Sequence, residues 1–404
     1  MNFFARRSQS PQAILAVLPF TLFFPLGFMY TGVVAFIIAY LLAGDFASRW
    51  RHIKESPLRW PVLALSVVSV CAGIFLERPP SEFWTDIVHY QIFVFLLFFS
   101  SIGPGAWQRR AMNTFFTGAT VAATLFYLNY LGLLPHWNFF RSYVTYAGNK
   151  SILLGVLLGL ASAWMLYQLS EQPARPVNWP RLLQFLYVAA AGLLLGKTRT
   201  GSLIFVMLCM LIGSRHLHLS WRNVLGVLTV GVLLALLLAQ ASGLRQRVDG
   251  TLADLNAFSE GKATSEQGIR LAMYGVTLRI IAEKPLQGHG VGTWLQEYRA
   301  RTVGDPISIQ LTPHNDYMLY MSEIGLFGLL ALLWVLVGLL VHAWRTGGEH
   351  GMSLGMLTLS LMLGAMFNAM IRDGVFGMAF MILLAIPLAG ALPARAGQQP
   401  RVPD

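Results

Sequence analysis

Apolar residues in this chain gather into long continuous runs, near 12–28, 30–44, 58–76, 83–101, 110–133, 150–170, 181–196, 200–213, 222–241, 316–344, 352–370 and 375–393. A helix needs roughly 20 mostly apolar residues to cross a bilayer, with about 17 at the short end. The pattern therefore predicts an all-α polytopic membrane protein with about 12 transmembrane helices. One long interval, from Ser242 to Leu311, carries no such run, and it is too long for a passive connection. The predicted organisation is transmembrane helices 1–9 over residues 1–241, a helical cap loop over 242–311, helices 10–12 over 312–394 and a short tail over 395–404.

Composition agrees: 55% of the 404 residues are hydrophobic and 12% are charged, about half the charged fraction of a soluble domain. The first run follows Arg6-Arg7 but passes almost directly into the second, with no clear small-residue cleavage site, so it reads as a span and not a removable signal. Cys71 and Cys209 both fall within runs, which leaves neither a disulfide nor a Cys-rich metal site.

Placing the N-terminus inside puts fifteen Lys and Arg residues on cytoplasmic segments and six on short external ones. That bias sets both termini in the cytoplasm and the cap on the opposite face. It also accounts for most of the +11 net charge, so attraction to membrane lipid explains the basic balance and nucleic acid need not be invoked. The external cations then stand out. Lys197 and Arg199 lie in the turn Gly196-Lys197-Thr198-Arg199-Thr200-Gly201-Ser202, on the side where cations are disfavoured. Two readings are open, snorkelling at the membrane surface or an anion site; the anion site is carried forward. Arg141, with Tyr146 nearby, sits among aromatics that suit either glycan or phosphate binding or an interfacial belt. Arg372-Asp373-Gly374 reads as a tight turn with a local ion pair.

Within the cap, Thr264-Ser265-Glu266-Gln267 has capping-box spacing, and Pro285 with Gly288 supplies a stop. Leu271, Tyr274, Leu278 and Ile281 recur at helical spacing as the expected apolar stripe. Arg270 and Arg279 are nine residues apart, about 900° of rotation, and so point to opposite sides. Arg270, one turn before Tyr274, is assigned to the site; Arg279 groups with Glu283 at i+4 in solvent. Gly288-His289-Gly290-Val291-Gly292 lacks the strand and spacing of a dinucleotide loop and reads as a flexible connection.

The most polar helix entry in the chain follows, Thr312-Pro313-His314-Asn315-Asp316-Tyr317. Thr312 is expected as N-cap, Pro313 as the first helical residue and His314 in the first turn. There the positive end of the helix dipole opposes imidazolium, leaving a neutral ring able to accept a proton. The chain has no Asp-x-Asp, His-Glu-x-x-His, Walker loop or Gly-x-Ser-x-Gly elbow. Its carboxylates are too sparse for a paired glycosidase acid and base.

The Lys-Thr-Arg-Thr-Gly-Ser turn, the cap helix with Arg270, and Pro313-His314-Asn315-Asp316-Tyr317 followed by Glu323-Ile324-Gly325-Leu326-x-Gly328 together resemble the O-antigen ligase superfamily. That group comprises O-antigen ligases, O-antigen polymerases and protein O-oligosaccharyltransferases; the likeness is most specific from about 196 to 328. The resemblance implies a GT-C-like glycosyltransferase with a periplasmic active site in the bacterial inner membrane. Its donor would be an undecaprenyl diphosphate-linked glycan and its acceptor the lipid A-core. His314, Arg270 and Arg199 would be catalytic, and Lys197, Arg141, Asn315 and Tyr274 would bind substrate. The sugar–diphosphate bond is already activated, so no cofactor, metal or nucleotide is expected. The short tail, where oligosaccharyltransferases usually carry another periplasmic domain, favours ligase or polymerase, and the single extended cap favours ligase. A non-enzymatic transporter or flippase for a lipid-linked sugar is the reading from a different class; the one-sided placement of the polar residues and the lack of an internal repeat argue against it.

Overall fold

The computed structural model describes residues 3–75, 83–134, 149–171, 178–196, 198–216 and 266–391. Helices form at eleven of the twelve apolar runs. The ninth run, at 222–241, and the 395–404 tail lie outside the described residues, as do the Thr264-Ser265 cap, Arg141, Tyr146 and Lys197. Four described helices are long and apolar enough to cross a membrane: Leu26–Ala43 (α2), Ile152–Ser170 within Asn149–Ser170 (α8), Asp316–Thr346 (α13) and Gly348–Phe367 (α14). A fifth is reached if Phe46–Glu55 (α3) and Arg59–Phe75 (α4), bent by 89°, count as one. The 83–101 run is divided at Gln91 into Phe83–Tyr90 (α5) and Ile92–Ser100 (α6). Helices Phe3–Thr21 (α1) and Trp107–Tyr130 (α7) pack together at one side of the bundle.

The last helix, Gly374–Ala391 (α15), is apolar all round, and nearly every side chain from Phe376 to Ala389 is buried. A helix without a polar face belongs at the centre of a bundle, and α15 packs there against α6 and α14. Close helix contact elsewhere is made by small residues. Gly155 and Gly159 on α8 form a Gly-x-x-x-Gly pair that meets Gly201 on Arg199–His216 (α10), where a Cβ at any of the three would overlap the opposing chain. This contact holds the first turn of α10, and with it Arg199, at one end of the bundle. Helix α9 (Trp179–Ala190) leads into that turn through a π-helical turn at Ala191–Leu195.

The described part of the cap is folded on its own small core. Glu266–Glu283 (α11) and Trp294–Arg301 (α12) enclose Met273, Val276, Ile280, Trp294, Tyr298 and Ile307, packed against Leu319 of α13. Trp294 stacks on Tyr298 at 4.6 Å and donates to Thr277 Oγ1 at 3.1 Å. The inward face of α11 is therefore the Met273, Val276, Thr277, Ile280 face, not the expected Leu271, Tyr274, Leu278, Ile281 stripe. Leu271 and Leu278 are exposed, because the aromatic pair of α12 lies on the other side of the helix. Glu283 pairs with Arg301, not with Arg279.

Helix α13 is broken at Gly325, whose φ of 68° and ψ of −166° interrupt the helical ladder. The break leaves the carbonyls of Ser322 and Glu323 free for the cap: His289 N–H donates to the first at 2.9 Å and Gly290 N–H to the second at 2.8 Å. In return Leu326 N–H donates to Pro285 O at 2.9 Å. Backbones approach so closely here that a Cβ at Gly325 would collide with Leu286 O, and one at Gly288 would lie 2.5 Å from the Glu323 carbonyl. The Gly288–Gly292 stretch is thus a fixed insert in a broken helix, which corrects the expectation of a flexible connection. His289 is buried and serves it structurally, with Nε2 2.9 Å from Ile280 O.

These contacts predict a sharp contrast. Gly325→Ala adds a Cβ in the left-handed region against backbone, and should destabilise the protein by about 2 kcal/mol or more. Gly275→Ala on α11, where nothing lies within 4 Å, should be neutral or stabilising by about 0.5–1 kcal/mol. Thermal unfolding of the detergent-solubilised protein measures both; equal shifts would contradict the assignment of the break.

Candidate active site

The cap helix α11 and the start of α13 bring four predicted residues together. Tyr274 Oη lies 3.5 Å from the His314 carbonyl oxygen, a long contact, and its phenol also engages Asn315. Arg270, one turn earlier on α11, is half-buried, and its charge acts on both Tyr274 and His314. Arg279 is exposed on the far side.

The helix entry differs in detail from the expected one. Asn315 is the N-cap of α13, its Oδ1 accepting from Met318 N–H at 3.0 Å. Thr312 instead accepts from His314 N–H at 3.2 Å and closes a tight turn before the helix. The side-chain amide of Asn315 lies closer to the helix than the Thr312 hydroxyl, and it takes the capping role. His314 accordingly sits just outside the helix with a φ of 50°, the one left-handed residue other than glycine among those described. Such a conformation costs about 1–3 kcal/mol in a side-chain-bearing residue and persists only where surrounding contacts impose it.

His314 is held neutral, as the sequence led one to expect, but mainly for another reason. Burial lowers its pKa from the ordinary histidine value, and the Arg270 charge lowers it further. Tyr274 is shifted upward by burial, so its phenol keeps its proton.

Arg199 opens helix α10 and is exposed. A chain of contacts sets it at the same end of the bundle as His314: Thr200 Oγ1 accepts from Asn368 Nδ2 at 3.1 Å, and the turn after Asn368 binds Asp316. Among the described residues neither Arg199 nor Arg270 has an ion-pair partner.

Four acidic and basic residues around this centre were given no role in the site by the sequence reading. Asp316, fully buried, accepts from Ile371 N–H at 2.7 Å and Arg372 N–H at 3.3 Å. Arg372 reaches beyond the neighbouring Asp373, whose Oδ1 caps the start of α15 through Val375 and Phe376 N–H. Its Nη2 reaches Asp86 Oδ1 across the bundle at 2.7 Å. Glu323, buried, accepts from Gly292 N–H, Trp294 N–H and the Tyr90 hydroxyl. The available signal was that Asp86 and Glu323 are carboxylates inside apolar runs, which are costly there and seldom idle.

Residues 184–333 match the family described as O-antigen ligase. The match spans 150 of the 404 residues and supports an O-antigen ligase/polymerase assignment for that region. No curated protein matches the chain. The matched region runs from within α9 to beyond the break in α13, and so contains Arg199, Arg270, Tyr274, His314, Asn315 and Glu323. The family implies a glycosyltransferase-like enzyme acting on lipid-linked glycans, and the apolar helices agree with a membrane protein. Among the described residues no group of three or more His, Cys, Asp or Glu is arranged to hold a metal ion. A cavity of about 1050 Å³, lined by Arg109, Glu171, Arg181 and Glu349 among others, lies at the opposite end of α14 from the His314 cluster. Its mixed charge and its place at the other end of α14 separate it from the His314 cluster.

Since Arg270 helps to lower the His314 pKa, Arg270→Gln should raise it towards the ordinary histidine value. Titration of ¹⁵N-labelled imidazole, with His314→Gln to assign the signal, measures the shift. A fall or no change would show that Arg270 does not act on the ring.

Proposed function

We propose that the protein transfers O-antigen polysaccharide from undecaprenyl diphosphate to lipid A-core oligosaccharide at the periplasmic face of the inner membrane. The observation that carries this reading is His314 itself, a strained, half-buried and neutral histidine facing Arg270 inside the O-antigen ligase region. A neutral imidazole beside an unpaired guanidinium suits a base that works next to an anionic leaving group.

In this scheme an acceptor sugar hydroxyl attacks the anomeric carbon of the donor. The new bond is oxygen to carbon, and the bond that breaks joins the anomeric carbon to a phosphate oxygen, which leaves with the electron pair. His314 takes the hydroxyl proton and later returns it to solvent. Arg270, Arg199 and Lys197 face the diphosphate and offset its growing charge; arginine suits bidentate phosphate contacts and lysine a point charge. Arg141 contributes glycan or phosphate binding in the same reading. Tyr274 and Asn315 orient the His314 turn and meet substrate. The polyprenyl tail lies among the helices in the lipid. No metal or nucleotide is needed to activate the donor, and direct displacement inverts the anomeric centre.

The test is reconstitution of the purified protein with undecaprenyl diphosphate-linked O-antigen, with and without lipid A-core. New covalent glycolipid that depends on the core supports ligase. Longer lipid-linked chains without core would make the protein a polymerase, and translocation with no new bond would make it a flippase. Within the ligase outcome, His314→Ala should lower turnover by about 10²–10⁴-fold while donor binding persists. The product linkage read by NMR should be inverted; a retained configuration would end the single-displacement scheme.

A further inference from the structure

We infer that the Asp86–Arg372 ion pair is a positioning device for His314, locking the strained turn before α13 to helix α5. This rests on the reading of His314 as the base, and it concerns two residues outside the cluster that faces substrate.

The pair is joined to the turn through backbone hydrogen bonds and to the glycine insert through packing. The backbone N–H groups of Ile371 and Arg372 both donate to the Asp316 carboxylate, two residues beyond His314. The Arg372 side chain then ties that segment to Asp86 on α5 at 2.7 Å. Asp86 Oδ2 in turn packs so tightly on Gly292 that a Cβ there would overlap it, and Gly292 N–H is held by Glu323 at 2.8 Å. The guanidinium ties the 370–372 turn to α5, Asp86 extends the link to the glycine insert, and the backbone of the turn extends it to the entry to α13. Its side chain is 21% exposed. Burial works against the Arg372 charge, but the surrounding Glu323 and Asp86 outweigh it, so its pKa is raised and the cation persists.

The left-handed His314 needs such an external constraint. Its own hydrogen bonds, from its N–H to Thr312 and from Tyr274 to its carbonyl, are long at 3.2 and 3.5 Å. Asp316 is the nearest firm anchor, and Arg372 fixes what Asp316 holds. Without the pair the turn relaxes, His314 gains solvent, and the acceptor hydroxyl loses an aligned base. A misplacement of about 1 Å costs roughly 100-fold in rate.

Arg372→Gln, Arg372→Lys, Asp86→Asn and the double variant Asp86→Asn/Arg372→Gln are compared in the reconstituted transfer assay. Arg372→Gln should lower kcat by about 100-fold, leave the donor KM within about twofold, and move the acid limb of the pH–rate profile to higher pH. The limb moves because a more exposed His314, still faced by Arg270, Tyr274 and Asp316, regains basicity. Arg372→Lys should recover part of the rate. The double variant removes the unpaired buried charge and should regain melting temperature without regaining kcat. Wild-type kcat in a folded Arg372→Gln protein, or a rate loss with an unmoved acid limb that the double variant repairs, would overturn the inference. Wild-type transfer by His314→Ala would instead remove the base assignment beneath it.

Discussion

Everything near the candidate site depends on one interruption, the break of α13 at Gly325 and the way its loose carbonyls are satisfied. Backbone groups buried in a membrane protein must find partners, because water is absent to supply them. Here the cap supplies them: the Pro285–Gly292 segment enters the break and exchanges backbone hydrogen bonds with it. Glu323 closes the joint by accepting from two amides of the insert and from Tyr90. Glycine is required on both sides, since any Cβ would separate the two backbones.

That joint gives the cap a fixed relation to the helix that carries His314. Cap helix α11 rests on Leu319 and projects Arg270 and Tyr274 to the His314 side. The lowered pKa of His314 is thus a product of assembly: cap and bundle together bury the ring, and the cap brings the cation. Its left-handed backbone is similarly imposed from outside the local segment. In the proposed reaction such a base would be neutral and aligned before substrate arrives, which is what electrostatic preorganisation demands. A polyprenyl diphosphate donor would add the negative charge that the unpaired arginines lack.

Around the candidate site the described residues include two kinds of ionisable group. Arg199 and Arg270 are unpaired among the described residues and suit a ligand. Asp86, Glu323, Asp316 and Arg372 satisfy one another and the surrounding amides, and suit a scaffold. Arg372 would read as a binding cation on charge alone; its contacts with Asp86 and with the Asp316 anchor place it in the second kind.

Hydrophobic run length by itself pointed to a helical membrane protein, and the described residues are all-helical, because a single continuous apolar run in lipid satisfies its backbone within itself only as a helix. That Arg270 and Tyr274 meet the polar 312–317 helix entry was foreshadowed by their spacing on the cap helix and by the polarity of that entry. Lys197, singled out as an external cation, and Arg141, singled out among aromatics, lie outside the described residues. Only the tertiary structure decided that Asn315 and not Thr312 caps α13, that the glycine stretch is an insert and not a hinge, and which face of α11 is buried. It alone decided that Arg372 pairs with a residue 286 positions away. Each of these depends on which backbones meet across the fold. Local spacing carries no information about the chain that lies opposite.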